Sequence, residues 1–177
     1  TPEQMDKMAD TMMNGLIRMR DSNLICGVSS RRDCMTKSEF KRLNTEYQAT
    51  VYSATTPDGI LLIRPGRRNY LLDNVLTAFR AKRWAFITAY NPGSIPMSDA
   101  INEAAHIELC RMLMRKGLVF FEGDGSSEGW PAEKSVLVIG IGRDKAMKLG
   151  KKFTQNAIVV GKKGDAAKVC WLTQPDS

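Results

Sequence analysis

The sequence predicts an α/β protein: a single mixed β-sheet flanked by helices, preceded by a helical extension, with α+β as the alternative. Three observations carry that expectation. Apolar runs of strand length, "RWAFITAY" and "SVLVIGI", lie between segments of helical periodicity. The β-branched and aromatic stretch "EYQATVYSAT", the turn Pro57-Asp58-Gly59 and "ILLIR" read as a β-hairpin. Hairpins interleaved with strand-helix-strand units are what a mixed sheet with packed helices requires. The 177 residues divide into an extension over 1–45 and a core over 46–177.

The extension opens with Thr1 as N-cap, Pro2 at the first helical position and Gln4 in the capping-box place. Met5, Met8, Met12, Leu16 and Met19 then recur at helical spacing. That face serves either the protein's own core or a partner, since methionine adapts to both. The segment "DSNLICGVSSRRDC" is a linking loop. Thr36 with Glu39 forms a second capping box and starts a short helix, followed by the hairpin. Leu72, Val75, Leu76 and Phe79 share one helical face, and "RWAFITAY" is the next strand. Ser98 caps a longer helix that buries Ile101, Ala105, Leu109, Met112 and Leu113 and ends at Gly117. "LVFFEG" is a strand, "DGSSEGWPAE" a polar loop, and "SVLVIGI" a strand apolar enough to be covered on both faces. A helix over Arg143–Lys151 and strands at "NAIVVG" and "AKVCWL" complete the order.

With 43% hydrophobic and 25% charged residues the composition is that of a soluble globular protein, and no apolar run approaches the ~18 residues of a membrane helix. The N-terminus lacks the basic, apolar and small-residue succession of a secretory signal, so a cytoplasmic location is expected. The cysteines form no CxxC pair and have only His106 to share a metal with, so neither a metal site nor a cofactor is predicted. Cys110 and Cys170 read as reduced core residues; a Cys26–Cys34 bridge is the alternative to free thiols in the loop. The net charge of +7 favours phosphates, nucleic acid or an acidic protein partner. Its concentrations are Arg64, Arg67 and Arg68, then Arg80, Lys82 and Arg83, then the stretch Arg143 to Lys152. A solvated basic face explains the same charges.

Common enzyme motifs are absent. "GIGRDKAMKLG" lacks both GxGxxG and GxxxxGK[ST] and is a generic strand-to-helix turn. His106 lies among core positions of a helix, which suits a packed side chain better than a base. What stands out is "FITAYNPGS", a buried strand that stops on a polar turn where ligands bind in open α/β sheets. Asn91 offers a donor and an acceptor there, and Gly93 lets backbone approach a ligand. A plain tight strand exit has the same residues.

"FITAYNPGS", Asn102, "GWPAEKSVLVIGI" and "LGKKFTQNAIVV", in this order and spacing, resemble a bacterial family known as domain of unknown function 3293. The resemblance covers Tyr47 to Val160. It implies a soluble α/β-type domain and no known activity. The polar positions by which that family is recognised correspond to Asn91, Pro92, Ser94, Asn102, Trp130, Glu133, Ser135, Gln155 and Asn156. Where the family has Phe-Gly-Gln, this chain has Phe153-Thr154-Gln155.

Taken as chemistry, the Asn and Gln amides make paired hydrogen bonds to a base edge, and Trp130 stacks on a flat ring. Glu133 is the candidate catalytic acid or base, and Arg64, Arg67 and Arg68 are candidates for phosphate. The expected function is nucleotide or nucleic-acid binding in a polar pocket at strand ends, with catalysis an open question. Two alternatives stay open. Trp130 and Glu133 fix the long loop on the sheet, or the domain is an interaction module whose methionine face and basic surface hold an acidic protein.

Overall fold

The computed structural model describes residues 35–128 and 130–173, and of Trp130 the backbone alone. The methionine-rich segment, Cys26 and Cys34 lie outside the described residues.

Helix α1 (Lys37–Ala49) starts on the predicted capping box, with Thr36 and Glu39 each accepting from the other's backbone N–H. Strands β1 (Val51–Thr56) and β2 (Gly59–Ile63) form the hairpin. Helix α2 (Tyr70–Ala78) follows, capped by the Asn69 side chain, and leads into β3 (Arg83–Thr88). A 3-10 turn (Pro92–Ser94) precedes α3 (Asp99–Arg115), capped by Ser98. Strands β4 (Val119–Ser127) and β5 (Trp130–Ile139), helix α4 (Arg143–Lys152), and strands β6 (Ala157–Lys162) and β7 (Lys168–Trp171) complete the chain.

The seven strands form one sheet in the order β2-β1-β4-β5-β3-β6-β7, and every ladder is antiparallel. A parallel bridge, Pro65 to Ala167, joins the ends of the two edge strands, and Gly66 N–H donates to Ala167 O at 2.8 Å. The sheet therefore curls until the ends of its edge strands meet at this bridge.

Alternation along β3 sorts its side chains into two cores. Trp84 and Phe86 point to the concave side, where α2 packs Leu72, Val75 and Leu76 against Leu61, Ile63 and Leu137. Ala85 and Ile87 point to the convex side, under Leu109 and Leu113 of α3 and Leu149 of α4. Both faces are covered, which is why β3 and the Val136–Ile139 half of β5 read as continuous apolar runs. Helix α1 lies at one end of the sheet, where Phe40 and Tyr47 pack on the Trp171 ring at 4.6 and 5.3 Å.

Two boundaries differ from the sequence reading. Glu46 to Ala49 belong to α1 rather than to the first strand, because Tyr47 gains a ring partner and Thr50 closes the helix through its N–H to Glu46 O. Helix α1 thus runs across residue 45 and packs on the core. "DGSSEGWPAE" is mostly paired strand rather than loop: Asp124 faces Lys134 and Gly125 faces Glu133, with a register shift between Gly125 and Ser127. Backbone pairing needs no apolar side chains, so hydropathy alone does not show it.

Candidate functional site

The exit of β3 is held residue by residue. Thr88 Oγ1 donates to Lys134 O and accepts from Tyr90 N–H, tying the strand end to β5. Asn91 follows in the left-handed region (φ 46°), which asparagine tolerates better than most residues. Its N–H donates to Asn102 Oδ1 (2.8 Å), and its Oδ1 accepts from Met97 N–H and Asn102 Nδ2 (both 2.9 Å). Its Nδ2 donates to Glu133 Oε1 at 2.7 Å. Asn91 is thus a clasp joining the β3 exit, the first turn of α3 and β5.

A second loop docks on this one. Gly93 N–H donates to Thr154 O (2.7 Å), Asn156 Nδ2 to Ser94 Oγ (3.0 Å), and Gln155 Nε2 to Tyr90 O (2.9 Å). The loop is preset by the end of α4. Thr154 N–H donates to Lys151 O and Gln155 N–H to Gly150 O, the two bonds of a Schellman motif. That motif places a left-handed residue, usually glycine, where this chain has Thr154 (φ 54°). The turn therefore forms despite the threonine, at a cost of roughly 1–2 kcal/mol for a β-branched residue there. Thr154 is exposed. Thr154→Gly should raise the unfolding free energy by about 0.5–1 kcal/mol in urea titrations, strain relief exceeding the extra chain entropy of glycine. A loss of stability would mean that the threonine side chain holds the loop.

These two loops, the start of β1 and β5, the end of β4 and the last turns of α1 enclose a cavity. Asn91, Ser94, Glu133, Ser135 and Gln155 line it together with Tyr47 and Tyr52. Its volume is about 70 Å³, several times the roughly 10–15 Å³ that one water needs. It admits the edge of a planar group rather than a whole nucleotide. The lining holds two carboxylates, Glu46 and Glu133, and no lysine, arginine or histidine among the described residues. Glu46 is paired with Arg42 at 2.8 Å. Gln155 spends both Nε2 protons on Tyr90 O and Phe153 O, which fixes the amide orientation and leaves Oε1 as its free acceptor. Burial pushes the Tyr47 phenol up to about 12, so it stays a neutral donor at physiological pH.

The remaining candidates lie elsewhere. Asn102 is buried behind Asn91 and holds it; Asn156 does the same for Ser94. The Trp130 side chain lies outside the described residues. Arg64, Arg67 and Arg68 follow β2 and do not line the cavity. Arg68 is bonded to the buried carboxylate of Asp73 at 2.7 Å and covers the Tyr70 ring at 4.5 Å.

Residues 87–158 match the family model described as protein of unknown function (DUF3293). The resemblance drawn from the motifs thus holds over this segment. The DUF3293 segment contains all five motif residues that line the cavity, and also Asn102 and Asn156. Tyr47, Tyr52 and the rest of α1 and β1 lie before it. No curated protein and no solved structure gives a match to the chain.

A second cluster, unread in the sequence, sits on the convex side. His106 and Cys110, one turn apart on α3, meet Glu122 of β4: His106 Nε2 is 2.9 Å from Glu122 Oε2, and Cys110 Sγ is 3.6 Å from Glu122 Oε1. Burial, with the Glu122 carboxylate beside it, pushes the Cys110 thiol up to about 12. Next to it, Glu103 accepts from Lys134 and Tyr90, which holds its carboxyl below the usual range; burial and Glu103 push the Tyr90 phenol up to about 12. The helical spacing of His106 and Cys110 was visible in the sequence; Glu122 arrives only through the packing of α3 on β4.

Proposed function

We propose that the protein binds the base of a nucleotide or nucleic acid in the cavity at the β3 exit, with Glu133 and Gln155 Oε1 as the acceptors that read it. The observation that supports this is the lining itself: the Glu133 carboxylate and the Gln155 amide oxygen, phenols of Tyr47 and Tyr52, and no cation among the described residues. Such a lining selects a flat, donor-rich group, and amino and ring N–H donors of a nucleobase fit it. Tyr47, Tyr52 and Leu43 supply apolar wall for the ring. Phosphates have no partner inside, so they stay at the mouth in solvent. Any contact they make with the basic surface is separate from base reading and is screened by salt.

Asn91 holds Glu133 in place, and a carbonyl oxygen at position 133 accepts the same Nδ2–H. Glu133→Gln should therefore keep the melting temperature near that of the parent. It should weaken base binding about tenfold or more, because a charge-assisted hydrogen bond contributes roughly 1.5–3 kcal/mol. The test is thermal shift and calorimetry with nucleosides, nucleotides and short single-stranded oligonucleotides, with ribose phosphate as the base-free control. Equal response to ribose phosphate, no response to any base, or an affinity untouched by Glu133→Gln each overturns the reading. Response to oligonucleotides alone would assign an extruded base in a polymer rather than a free nucleotide. The partner-binding alternative rests on the methionine-rich segment and is carried by the sequence alone.

A further inference from the structure

We propose that His106, Cys110 and Glu122 form a zinc site with an open fourth position. The three ligand atoms lie within 4.8 Å of one another and come from two rigid elements, α3 and β4. Their separations suit a shared ion. In a tetrahedral zinc site with bonds of about 2.0–2.3 Å, a sulfur and a nitrogen or oxygen ligand lie about 3.6 Å apart, and nitrogen and oxygen about 3.3 Å. The observed values are 3.7 Å for Cys110 Sγ to His106 Nε2, 3.6 Å for Sγ to Glu122 Oε1, and 2.9 Å for Nε2 to Oε2. Modest side-chain rotation, easy for the Glu122 side chain at 62% exposure, brings the set around one ion.

The histidine is buried and turns one ring nitrogen into the cluster. His106 is 5% exposed, and its Nδ1 is buried with no partner, so the ring leaves one polar atom unsatisfied in the core. The ring's other nitrogen, Nε2, is the one directed at the thiol and the carboxylate. The mixture of imidazole, thiolate and carboxylate suits zinc better than magnesium or calcium, which take oxygen ligands. On binding, Sγ takes the ion and its proton leaves to solvent, while the imidazole proton resides on Nδ1. Because Nδ1–H then lacks the acceptor usual behind a metal-bound histidine, the affinity should fall about 10–100-fold below that of a fully supported site. The cluster opens onto a groove lined by Ile107, Met114 and Glu103, from which water can reach the fourth position.

The probes are Zn²⁺ and Co²⁺ added to the reduced full chain. One equivalent of Co²⁺ should give visible d–d bands of tetrahedral intensity and a near-ultraviolet thiolate-to-cobalt band, and Zn²⁺ should displace it. Cys110→Ser should remove the thiolate band. Glu122→Gln, at an exposed side chain that leaves folding intact, should weaken Zn²⁺ at least tenfold. The double variant Cys26→Ser with Cys34→Ser should bind as the parent does. The proposal is overturned if no thiolate band forms, if the band survives Cys110→Ser and disappears with the Cys26 and Cys34 changes, or if Glu122→Gln binds Zn²⁺ as tightly as the parent.

Discussion

Replacing Asn91 by alanine should lower the unfolding free energy by on the order of 3–5 kcal/mol, a large part of a small domain's stability. The substitution removes the acceptor of Met97 N–H and of Asn102 Nδ2 and the donor to Glu133. Asn91 and Asn102 are buried, so groups left without a partner there lose their hydrogen bonds without regaining water, at about 1–3 kcal/mol each. Alanine at φ 46° adds about 1 kcal/mol of backbone strain that asparagine largely avoids. Urea titration of the parent and variant reads the change. Asn102→Ala should destabilise by a similar amount, and the double variant by little more than either single one, since both remove the same bonds. Additive losses would show that the two amides act separately and that the clasp is not a unit.

The clasp also links stability to the cavity. Asn91 Nδ2 is one of the groups that place the Glu133 carboxylate, so Asn91→Ala removes that bond to the proposed base-reading acceptor as it loosens the loop. A ligand that engages Glu133 should therefore lose affinity in Asn91→Ala even under conditions where the variant is fully folded. Glu133→Gln separates the two effects, because it keeps the bond and removes the charge.

Much of this was legible in the sequence, and what was not has a common physical cause. Strand β3 and the second half of β5, Val136 to Ile139, announced themselves because both faces are buried there and the run is apolar. The Thr36–Glu39 capping box and the Ser98 cap are local chemistry, complete within four residues. The closing bridge at Pro65–Ala167 and the pairings of β1 with β4 and of β3 with β5 and β6 depend on backbone partners far apart in the chain, which side-chain patterns do not encode. The polar stretch 124–133 misled for the same reason: its pairing is through the main chain, while Gly125, Ser127 and Glu133 line the cavity. Of the motif residues, the sequence marked which are polar and where they sit along the chain. It did not distinguish Glu133 and Gln155, on the cavity wall, from Asn102 and Asn156, which stand behind and hold the wall in place. His106, Cys110 and Glu122 show the limit most clearly, since two of the clustered groups share a helix face and the third comes from the next strand.

The second large effect is expected at Gly123, where β4 crosses β1 opposite Ala54. A methyl group there would fall on the carbonyl oxygen of Ser53 and within 3.0 Å of the Phe86 ring. The obstacle on one side is main chain, which cannot rotate away, and on the other a ring packed between Tyr52 and the core. Gly123→Ala must then push β1 from β4 or break the ladder locally. Overpacking of this kind costs about 1–3 kcal/mol when only side chains yield, so the expected loss is on the order of 3 kcal/mol or more. The damage should spread toward the cavity, because Gly125, two residues on, lines it and packs under the Tyr52 ring. Amide exchange should quicken along β1 and β4 while α3 and α4, on the other core, keep their protection. Gly164→Ala is the control: it lies at a positive φ of 87° with open space around it, so it carries strain without a clash and should lose only about 1 kcal/mol. Similar losses in the two variants would mean that the sheet accommodates a methyl group at the crossing, and that the close approach of β1 and β4 is not what holds the mouth of the cavity in shape.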